Sequence, residues 1–259
     1  MVSEVMLQQT PVARVEPVWQ EWMARWPTPQ DLASSTQADA VIAWGRLGYP
    51  RRARRLHQTA IIITREHAGL VPSNLDALLA LPGIGDYTAR AIRTFAFGIP
   101  EPVVDTNVRR VVARVSGGQA QAGPPRMRAD RDAVWRVLAP EKIRSQTEGA
   151  KALMELGAVV CTPRNPSCEA CPLQDDCAWR LAGYPTYQGP EGPKQSRFEG
   201  SDRQVRGIIL RELRSSDIPV PRDFLSSLWP DSRQFDRALA SLVEDALVVL
   251  DESGARLSE

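Results

Sequence analysis

Apolar side chains recur at helical spacing along most of the chain. Val15, Val18 and Trp22 share one face of a segment that Pro11 can open and that closes before the sequence WPTP. The same spacing predicts helices over 38–47 and 51–67, a short one ahead of residue 81, others at 86–97 and 106–115, and two more before the first cysteine. The pattern predicts an all-α fold.

Polar residues mark where several of these helices begin. Thr36 followed by Asp39, and Ser73 followed by Asp76, have the spacing of a capping box, in which two side chains satisfy backbone N–H groups of the first turn. Gly48 is expected to end the helix that Thr36 opens, because glycine accepts the left-handed conformation of a helix C-terminus.

Two stretches rich in proline and glycine divide the chain. GGQAQAGPP and GYPTYQGPEGPKQS have the composition of linkers. After the second, three helical segments precede a hairpin that turns at Ser253–Gly254, a pattern typical of a winged-helix module. The predicted boundaries are a helical domain at 1–117, a cysteine-containing domain at 118–185, a linker at 186–197 and a winged-helix-like module at 198–259.

Composition and charge are those of an ordinary globular protein. Of 259 residues, 43% are hydrophobic and 24% charged, and no apolar run approaches membrane-spanning length. No basic segment precedes Glu4, so the sequence predicts no signal peptide, a cytoplasmic location and no membrane partner. The net charge is only +1, but arginines cluster at 51–55 and 109–114, which suits either nucleic-acid contact or a solvated helix face.

All the cysteines lie in one short segment: Cys161, Cys168, Cys171 and Cys177, spaced C-x6-C-x2-C-x5-C. Disulfides are not expected in a cytosolic chain. Four thiols so close together, separated by polar loop-like residues, predict a single metal centre. Spacing alone leaves zinc and an iron–sulfur cluster both open.

Gly83 and Gly85, in LPGIGDYTARAI, separate two predicted helices. Glycines let the backbone approach a phosphate, and the free N–H groups of the second helix form an anion site. A plain αα-hairpin is the alternative. With Leu81 and Pro82 before it and an apolar helix after it, the pattern favours a helix–hairpin–helix that holds a DNA phosphate without reading sequence.

Asp105 lies in VVDTNVRRV, at the edge of an apolar segment. Aspartate is among the preferred N-cap residues, so the residue is predicted to begin the helix at 106–115. A partly desolvated, ionised aspartate at this place can also face a developing cation. The residues alone leave both interpretations open.

The order of hairpin, aspartate and cysteines resembles the helix–hairpin–helix base-excision DNA glycosylases that carry a [4Fe–4S] cluster. The resemblance covers about residues 1–185, and the cysteine spacing is its most specific element. SEVMLQQT, LGYPRRARRLH and MELGAVVCTPRNPSCEACPLQDDC are similar to segments of the MutY-type adenine glycosylases. Tyr87 stands where bifunctional members have a nucleophilic lysine. The implied fold is all-α, with a six-helix domain and an iron–sulfur cluster domain.

The resemblance implies a monofunctional glycosylase that removes adenine mispaired with 8-oxoguanine or guanine and leaves an abasic site. Glu4, among apolar neighbours, would protonate the adenine. Asp105 would stabilise the cationic sugar, and Asn107 and Tyr87 would support the same step. The four cysteines would hold a structural [4Fe–4S] cluster.

The resemblance also implies a set of DNA contacts. Gln9 would insert into the duplex, Thr10 would touch the base opposite, and Tyr49 would intercalate nearby. Leu7 would line the adenine pocket, and the arginines after Tyr49 would lie close to phosphates. The implied partner is double-stranded DNA with an adenine mismatch, bound by a monomer.

The sequence departs from the family pattern in three places. Members carry a further segment ahead of SEVMLQQT, so the chain is expected to be short at its N-terminus, with a misassigned start codon as the preferred explanation. The strand-rich C-terminal domain that recognises 8-oxoguanine is not predicted, which lowers the expected preference for that lesion. Thr106 replaces the glycine of the usual VDGNV.

Three other functions fit parts of the pattern. A thymine or uracil mismatch glycosylase of the same superfamily also lacks the lysine, but it has no need of Glu4. A non-catalytic DNA-binding relative would keep only the hairpin and the cluster. A zinc-dependent winged-helix transcription factor would explain the cysteines and the C-terminal module, but not the set of Glu4, Tyr87 and Asp105.

Overall fold

The computed structural model describes residues 1–139, 145–190 and 197–259, and its regular structure is almost entirely helical, as predicted. Its elements are α1 (Val2–Met6), α2 (Val12–Arg25), α3 (Pro29–Ala33), α4 (Gln37–Trp44), α5 (Arg51–Glu66), α6 (Leu75–Leu79), α7 (Asp86–Phe97), α8 (Thr106–Val115), α9 (Met127–Val137), α10 (Gln146–Glu155), α11 (Ala178–Leu181), α12 (Asp202–Arg214), α13 (Arg222–Ser227), α14 (Ser232–Glu244), β1 (Val248–Asp251) and β2 (Gly254–Leu257). A π-helical turn, Leu156–Val160, continues α10. Residues 191–196 of the predicted linker lie outside the described residues. Within the described ranges, no helix has the length and apolar character needed to cross a membrane.

Local caps begin several helices where the sequence places them. The predicted box at α4 is formed, because the Thr36 hydroxyl accepts from the Asp39 N–H and the Asp39 carboxylate accepts from the Thr36 N–H. The helix ends earlier than expected, at Gly45 rather than Gly48. Gly45 already has a φ of 54°, which interrupts the helical hydrogen bonding.

The cap of α6 also differs from the prediction. The Asn74 side-chain oxygen accepts from the Ala77 N–H at 3.0 Å, so Asn74, one residue after the predicted Ser73, caps this helix. Asparagine and serine are nearly equivalent as N-caps, and two such residues in succession leave the starting point ambiguous in sequence.

The C-terminal elements are three helices, α12 to α14, followed by a two-stranded hairpin. β1 and β2 pair antiparallel, and Val220 adds a bridge to Ala255. The hairpin turns one residue earlier than predicted, since Gly254 is already paired with Asp251. Gly254 has a φ of 129°, and a Cβ there would lie 2.5 Å from the Val220 carbonyl oxygen, so the bridge requires glycine.

The described chain forms two compact units. Unit 1 contains Met1–Pro72, Ala80–Gly83 and the elements α12 to β2, whereas unit 2 contains Ser73–Leu79 and the chain from Ile84 through α11. Each unit therefore combines segments that are separated in sequence.

Tryptophans build the core of unit 1. Trp22 packs edge-on against Trp26 and Trp44, with ring centroids 4.7 and 5.7 Å apart, and Trp22 and Trp44 are fully buried. Each such aromatic pair adds about 0.5–1.5 kcal/mol beyond the area it buries. α5 packs against α1, α3 and α4, and this places the short helix α1 firmly on the core.

The C-terminal module is joined to the N-terminal helices within unit 1. The buried Gln37 side chain donates from Nε2 to the Ala246 carbonyl at 2.7 Å. Asp245 accepts from Arg51 at 3.3 Å. These two contacts join the residues that follow α14 to the starts of α4 and α5.

The core of unit 2 consists mainly of valine and leucine side chains around α8. Val108 and Val111 of α8 pack with Leu153 of α10, and α8 also contacts α9 and α11. A Cβ at Gly157 would lie 2.8 Å from the Asn107 Cβ, so glycine lets the π-helical turn approach the first turn of α8. The core thus brings the start of α8 and the cysteine segment together.

Candidate functional site

The predicted site residues fall into two sets, one in each unit. Unit 1 holds Glu4, Leu7, Gln9, Thr10, Tyr49 and Gly83. Unit 2 holds Gly85, Tyr87, Asp105, Asn107, Cys161, Cys168, Cys171 and Cys177.

Glu4 lies at the centre of α1 and is half-buried. The next two side chains, Val5 and Met6, are buried in the core. The helix ends at Leu7, whose N–H donates to the Ser3 carbonyl at 2.9 Å. A short, anchored helix therefore holds the predicted proton donor.

The turn after α1 carries two predicted DNA contacts in different settings. Gln9 is exposed and has a φ of 55°, in the left-handed region that only a few non-glycine residues adopt. Thr10 is buried, and its hydroxyl donates to the Gln8 carbonyl and accepts from Arg52 Nη2 at 3.0 Å. Gln9 is the residue of this turn whose side chain points to solvent.

Tyr49 occupies a second strained turn, between α4 and α5. Its φ is 49°, and 44% of the residue is exposed. The Trp44 indole N–H donates to the Gly48 carbonyl, and the Tyr49 carbonyl accepts from the Arg52 N–H, both at 2.9 Å. The aromatic ring is thus presented on a turn whose backbone is fixed on both sides.

Arg52 belongs to the basic cluster at 51–55, which suggested a position at the surface. In the structure it is buried instead. Only 8% of the residue is exposed, and burial lowers the pKa of its guanidinium. Helical periodicity carries the signal, because Arg52 falls on the same face of α5 as Leu56 and Ile63, which are both buried. It is a candidate functional residue that sequence reasoning missed.

The hairpin glycines differ in their surroundings. Gly83 has a φ of 80°, and a Cβ there would lie 3.1 Å from the Arg55 side chain. The preceding Pro82 carbonyl accepts from the Thr59 hydroxyl at 2.9 Å. Gly85 is the N-cap of α7, and it gives that helix no side-chain cap. Backbone N–H groups in that first turn are the donors that an anion would need.

Tyr87 is the second residue of α7, and its ring packs against the unit 2 core. The residue before it, Asp86, pairs with Arg90 at 3.1 Å and with Arg131 at 2.7 Å. These ion pairs fix the first turn of the helix that carries Tyr87.

Asp105 is the N-cap of α8, as predicted, and both its carboxylate oxygens are engaged. Oδ1 accepts from the Val108 N–H at 2.6 Å, and Oδ2 accepts from Asn107 Nδ2 at 3.1 Å. Asn107 Oδ1 in turn accepts from Arg110 at 2.9 Å. The structure therefore brings Asp105 and Asn107 together and fixes the orientation of the carboxylate.

Two arginines of the second basic cluster have structural roles. Arg110 and Arg114 are buried, and Arg110 Nε donates to the Cys161 carbonyl at 2.8 Å. Arg114 donates to the Cys161 sulfur at 3.2 Å and stacks over Trp179. Burial lowers the pKa of the Arg110 guanidinium, and this effect outweighs the opposing effect of nearby Cys161. Neither arginine is a phosphate contact or part of a solvated face, because the cysteine segment covers both.

The four cysteines line one small cavity between α8, the π-helical turn and α11. Burial raises the pKa of the Cys171 thiol, and the other three cysteines raise it further. In the part of the chain that the structure describes, no three Cys, His, Asp or Glu residues are grouped to hold one metal ion. Four thiols spread around a shared cavity, one buried and three partly buried, fit a polynuclear iron–sulfur cluster, whose iron would offset the charge of the four thiolates.

Replacing Cys171 by serine is expected to remove most of the bound iron and the visible thiolate–iron absorption. Because metal binding contributes directly to folding, a loss of about 3 kcal/mol would lower the melting temperature by roughly 6–12 °C. Absorption spectra, iron analysis and thermal melts measure these effects. Ser167→Ala, in the same segment, is the control and should keep the cluster. Full iron content in the Cys171 variant would contradict the assignment.

Two family models match the chain. The HhH-GPD superfamily of base excision DNA repair proteins matches residues 2–137. The iron-sulfur binding domain of endonuclease III matches residues 161–177, the segment that contains all four cysteines. The cysteine centre is therefore a [4Fe–4S] site, and the zinc alternative is not supported.

Whole-chain relatives and solved structures agree with these matches. The adenine DNA glycosylase of Mycobacterium tuberculosis is 52% identical over 255 residues, covering 98% of this chain and 83% of that protein. The adenine DNA glycosylase of Mycolicibacterium smegmatis is 51% identical over 249 residues, covering 96% of this chain and 83% of that protein.

Among solved structures, that of a thermostable thymine-DNA glycosylase is similar, with a TM-score of 0.60 and 26% sequence identity. The alignment covers 70% of this chain and 82% of the glycosylase chain. Endonuclease III in a non-covalent DNA complex has the same fold, with a TM-score of 0.60 and 23% sequence identity. The alignment covers 70% of this chain and 83% of the endonuclease III chain. The chain therefore belongs to the HhH-GPD superfamily of base excision DNA repair proteins and, within it, to the MutY-type adenine DNA glycosylase family.

Proposed function

We propose that this protein is a monofunctional DNA glycosylase that excises adenine mispaired with 8-oxoguanine or guanine and leaves an abasic site. The observation that carries the proposal is the 52% identity to adenine DNA glycosylases over 98% of the chain. The thymine-DNA glycosylase is only 26% identical over a smaller part, so excision of a mismatched pyrimidine is not favoured. We place the protein in the bacterial cytoplasm, acting as a monomer on double-stranded DNA.

Glu4 supplies the proton in this mechanism. Adenine leaves readily only once a ring nitrogen is protonated, and a carboxyl group beside apolar surface tends to keep its proton. Glu4 is half-buried on α1, and the buried residues Val5 and Met6 follow it in the chain. Leu7, at the end of the same helix, lines the adenine pocket.

Asp105 stabilises the positive charge that develops on the sugar as the bond to adenine breaks. The electron pair of that bond leaves with the protonated base, and water then adds to the sugar carbon and loses one proton to solvent. Asn107 holds the carboxylate in place through its 3.1 Å hydrogen bond. Tyr87 supports the sugar and offers no amine, so the reaction stops at the intact abasic strand.

Backbone groups of the protein bind the DNA phosphates, and side chains of the protein insert into the duplex. Gly83 and Gly85 bring the hairpin backbone to a phosphate. Gln9 and Tyr49, both exposed on left-handed turns, enter the duplex as the adenine leaves the stack, and Thr10 lies at the base opposite. The [4Fe–4S] cluster, when bound to the four cysteines, supplies structural order to residues 161–177.

A single-turnover base-release assay tests this function. Duplexes with A opposite 8-oxoguanine, A opposite G, and A opposite T are compared, with T:G and U:G duplexes in parallel. We expect adenine release from the first two only, with strands that break only after alkali. Release of thymine or uracil without adenine would overturn the assignment. The ratio of the rates on the two adenine mismatches measures the preference for 8-oxoguanine over guanine.

A further inference from the structure

Two residues of unit 1 have a strained backbone conformation. Gln9 and Tyr49 both have φ near 50°, and each lies in a turn with a side chain exposed to solvent. A non-glycine residue in this region costs on the order of 1–3 kcal/mol and persists only where neighbouring groups enforce it. A single group that contacts both turns would account for both conformations.

One guanidinium contacts both. Arg52 Nη1 donates to the carbonyls of Val5 at 2.9 Å and Met6 at 3.1 Å, and also to that of Gln8. Nη2 donates to the Thr10 hydroxyl at 3.0 Å and to the carbonyl of Gly48, which precedes Tyr49, at 3.3 Å. The planar guanidinium thus donates hydrogen bonds to the end of α1, to the turn after it and to the turn that contains Tyr49.

Aromatic rings complete the arrangement. The Arg52 guanidinium carbon lies 5.3 Å from the Trp44 ring centroid and 5.4 Å from that of Tyr49. Both distances are within the range of cation–π attraction. Trp44 is fully buried, so this contact ties the Tyr49 ring to the core through the arginine.

Folding alone does not account for a charge in this place. Arg52 is 8% exposed, its Nε has no hydrogen-bond partner, and its described acceptors are carbonyls and a hydroxyl. A buried charge compensated in this way stabilises a fold poorly, and a neutral side chain often serves as well. The geometry points instead to precise placement of the two turns.

We propose that Arg52 is a positioning residue that holds the Gln9 and Tyr49 turns as one unit, so that both side chains enter mismatched DNA at a fixed spacing. The proposal rests on the proposed function only for the roles of Gln9 and Tyr49. It predicts that Arg52 acts on mismatch binding through these two residues, and has little effect on binding to paired DNA.

The test measures Kd for A:8-oxoguanine and fully paired duplexes with the cluster-loaded protein. Arg52→Lys keeps the charge but cannot form the planar fork, so Kd for the mismatch should rise about tenfold, which corresponds to 1.4 kcal/mol. Kd for paired DNA should stay within twofold. Arg25→Lys is the matched control. Like Arg52, Arg25 stacks on a tryptophan ring, that of Trp26, and it donates a hydrogen bond to Asp39.

A mutant cycle separates positioning from simple stability. In a background with Gln9→Ala and Tyr49→Ala, the effect of Arg52→Lys on Kd should disappear. Additive effects, or no loss of mismatch affinity in Gln9→Ala and Tyr49→Ala alone, would overturn the proposal. If Arg52→Lys does not fold, Arg52→Gln replaces it, because an uncharged side chain avoids the burial cost. Adenine release by the wild-type protein reports on the proposed function separately.

Discussion

Glutamine in place of Glu4 is expected to abolish adenine release from A:8-oxoguanine duplexes, with a rate roughly 10²–10⁴-fold lower. The amide has nearly the shape of the carboxyl group but cannot deliver a proton to the departing base. Binding to the mismatch should change little, because the variant keeps the α1 packing that buries Val5 and Met6. Single-turnover kinetics at saturating enzyme measure the chemical step directly.

The same substitution also separates the proposed reaction from its alternative. Excision of thymine or uracil does not depend on protonation by Glu4, so an enzyme of that class would keep its activity in the Glu4→Gln variant. Glu16→Gln, on the exposed face of α2, is the control and should react at the wild-type rate. Near-wild-type adenine release by Glu4→Gln would remove Glu4 from the mechanism.

Asparagine at position 105 is expected to lower the adenine-release rate by about 10²–10³-fold while leaving the fold intact. Asparagine caps a helix about as well as aspartate, so the hydrogen bond from the Val108 N–H can be kept. What is lost is the negative charge that faces the developing cation. The melting temperature should therefore stay close to that of the wild type.

Alanine at the same position separates the two roles of Asp105. Asp105→Ala loses both the charge and the cap, so it should add a loss of about 1 kcal/mol in the free energy of unfolding. Asp231→Asn, at the N-cap of α14, makes the same chemical change elsewhere, where the carboxylate accepts from the Gln234 N–H at 3.0 Å. It should leave the rate unchanged. A rate loss no larger in Asp105→Asn than in Asp231→Asn would reduce Asp105 to a structural cap.

Local features of the fold were predictable because their causes are local. The Thr36–Asp39 box and the Asp105 cap each depend on residues three positions apart, so the sequence contains both partners. Where two neighbouring residues could serve equally, as at Ser73 and Asn74, the sequence could not choose between them. The exact end of α4 was likewise missed, since either Gly45 or Gly48 permits a positive φ.

Candidate site residues were identified through motifs rather than contacts. The cysteine spacing and the match to residues 161–177 agree on one cluster. The roles of Glu4, Gln9 and Tyr49 remain predictions that the variants above can test. Geometry added to them the left-handed turns at Gln9 and Tyr49 and the buried hydroxyl of Thr10, which no motif expresses.

Sequence by itself determined the helical class, most helix starts, the family and the metal-binding cysteines, because periodicity, caps and spacing act over a few residues. Tertiary structure alone decided what the arginines do. Arg52 finds four of its five described acceptors at positions 5–10, and Arg110 finds the Cys161 carbonyl 51 residues away. In the sequence, an arginine indicates only a positive charge. Whether it meets phosphate, solvent or a buried turn depends on which distant backbone groups the packing brings within 3 Å of it.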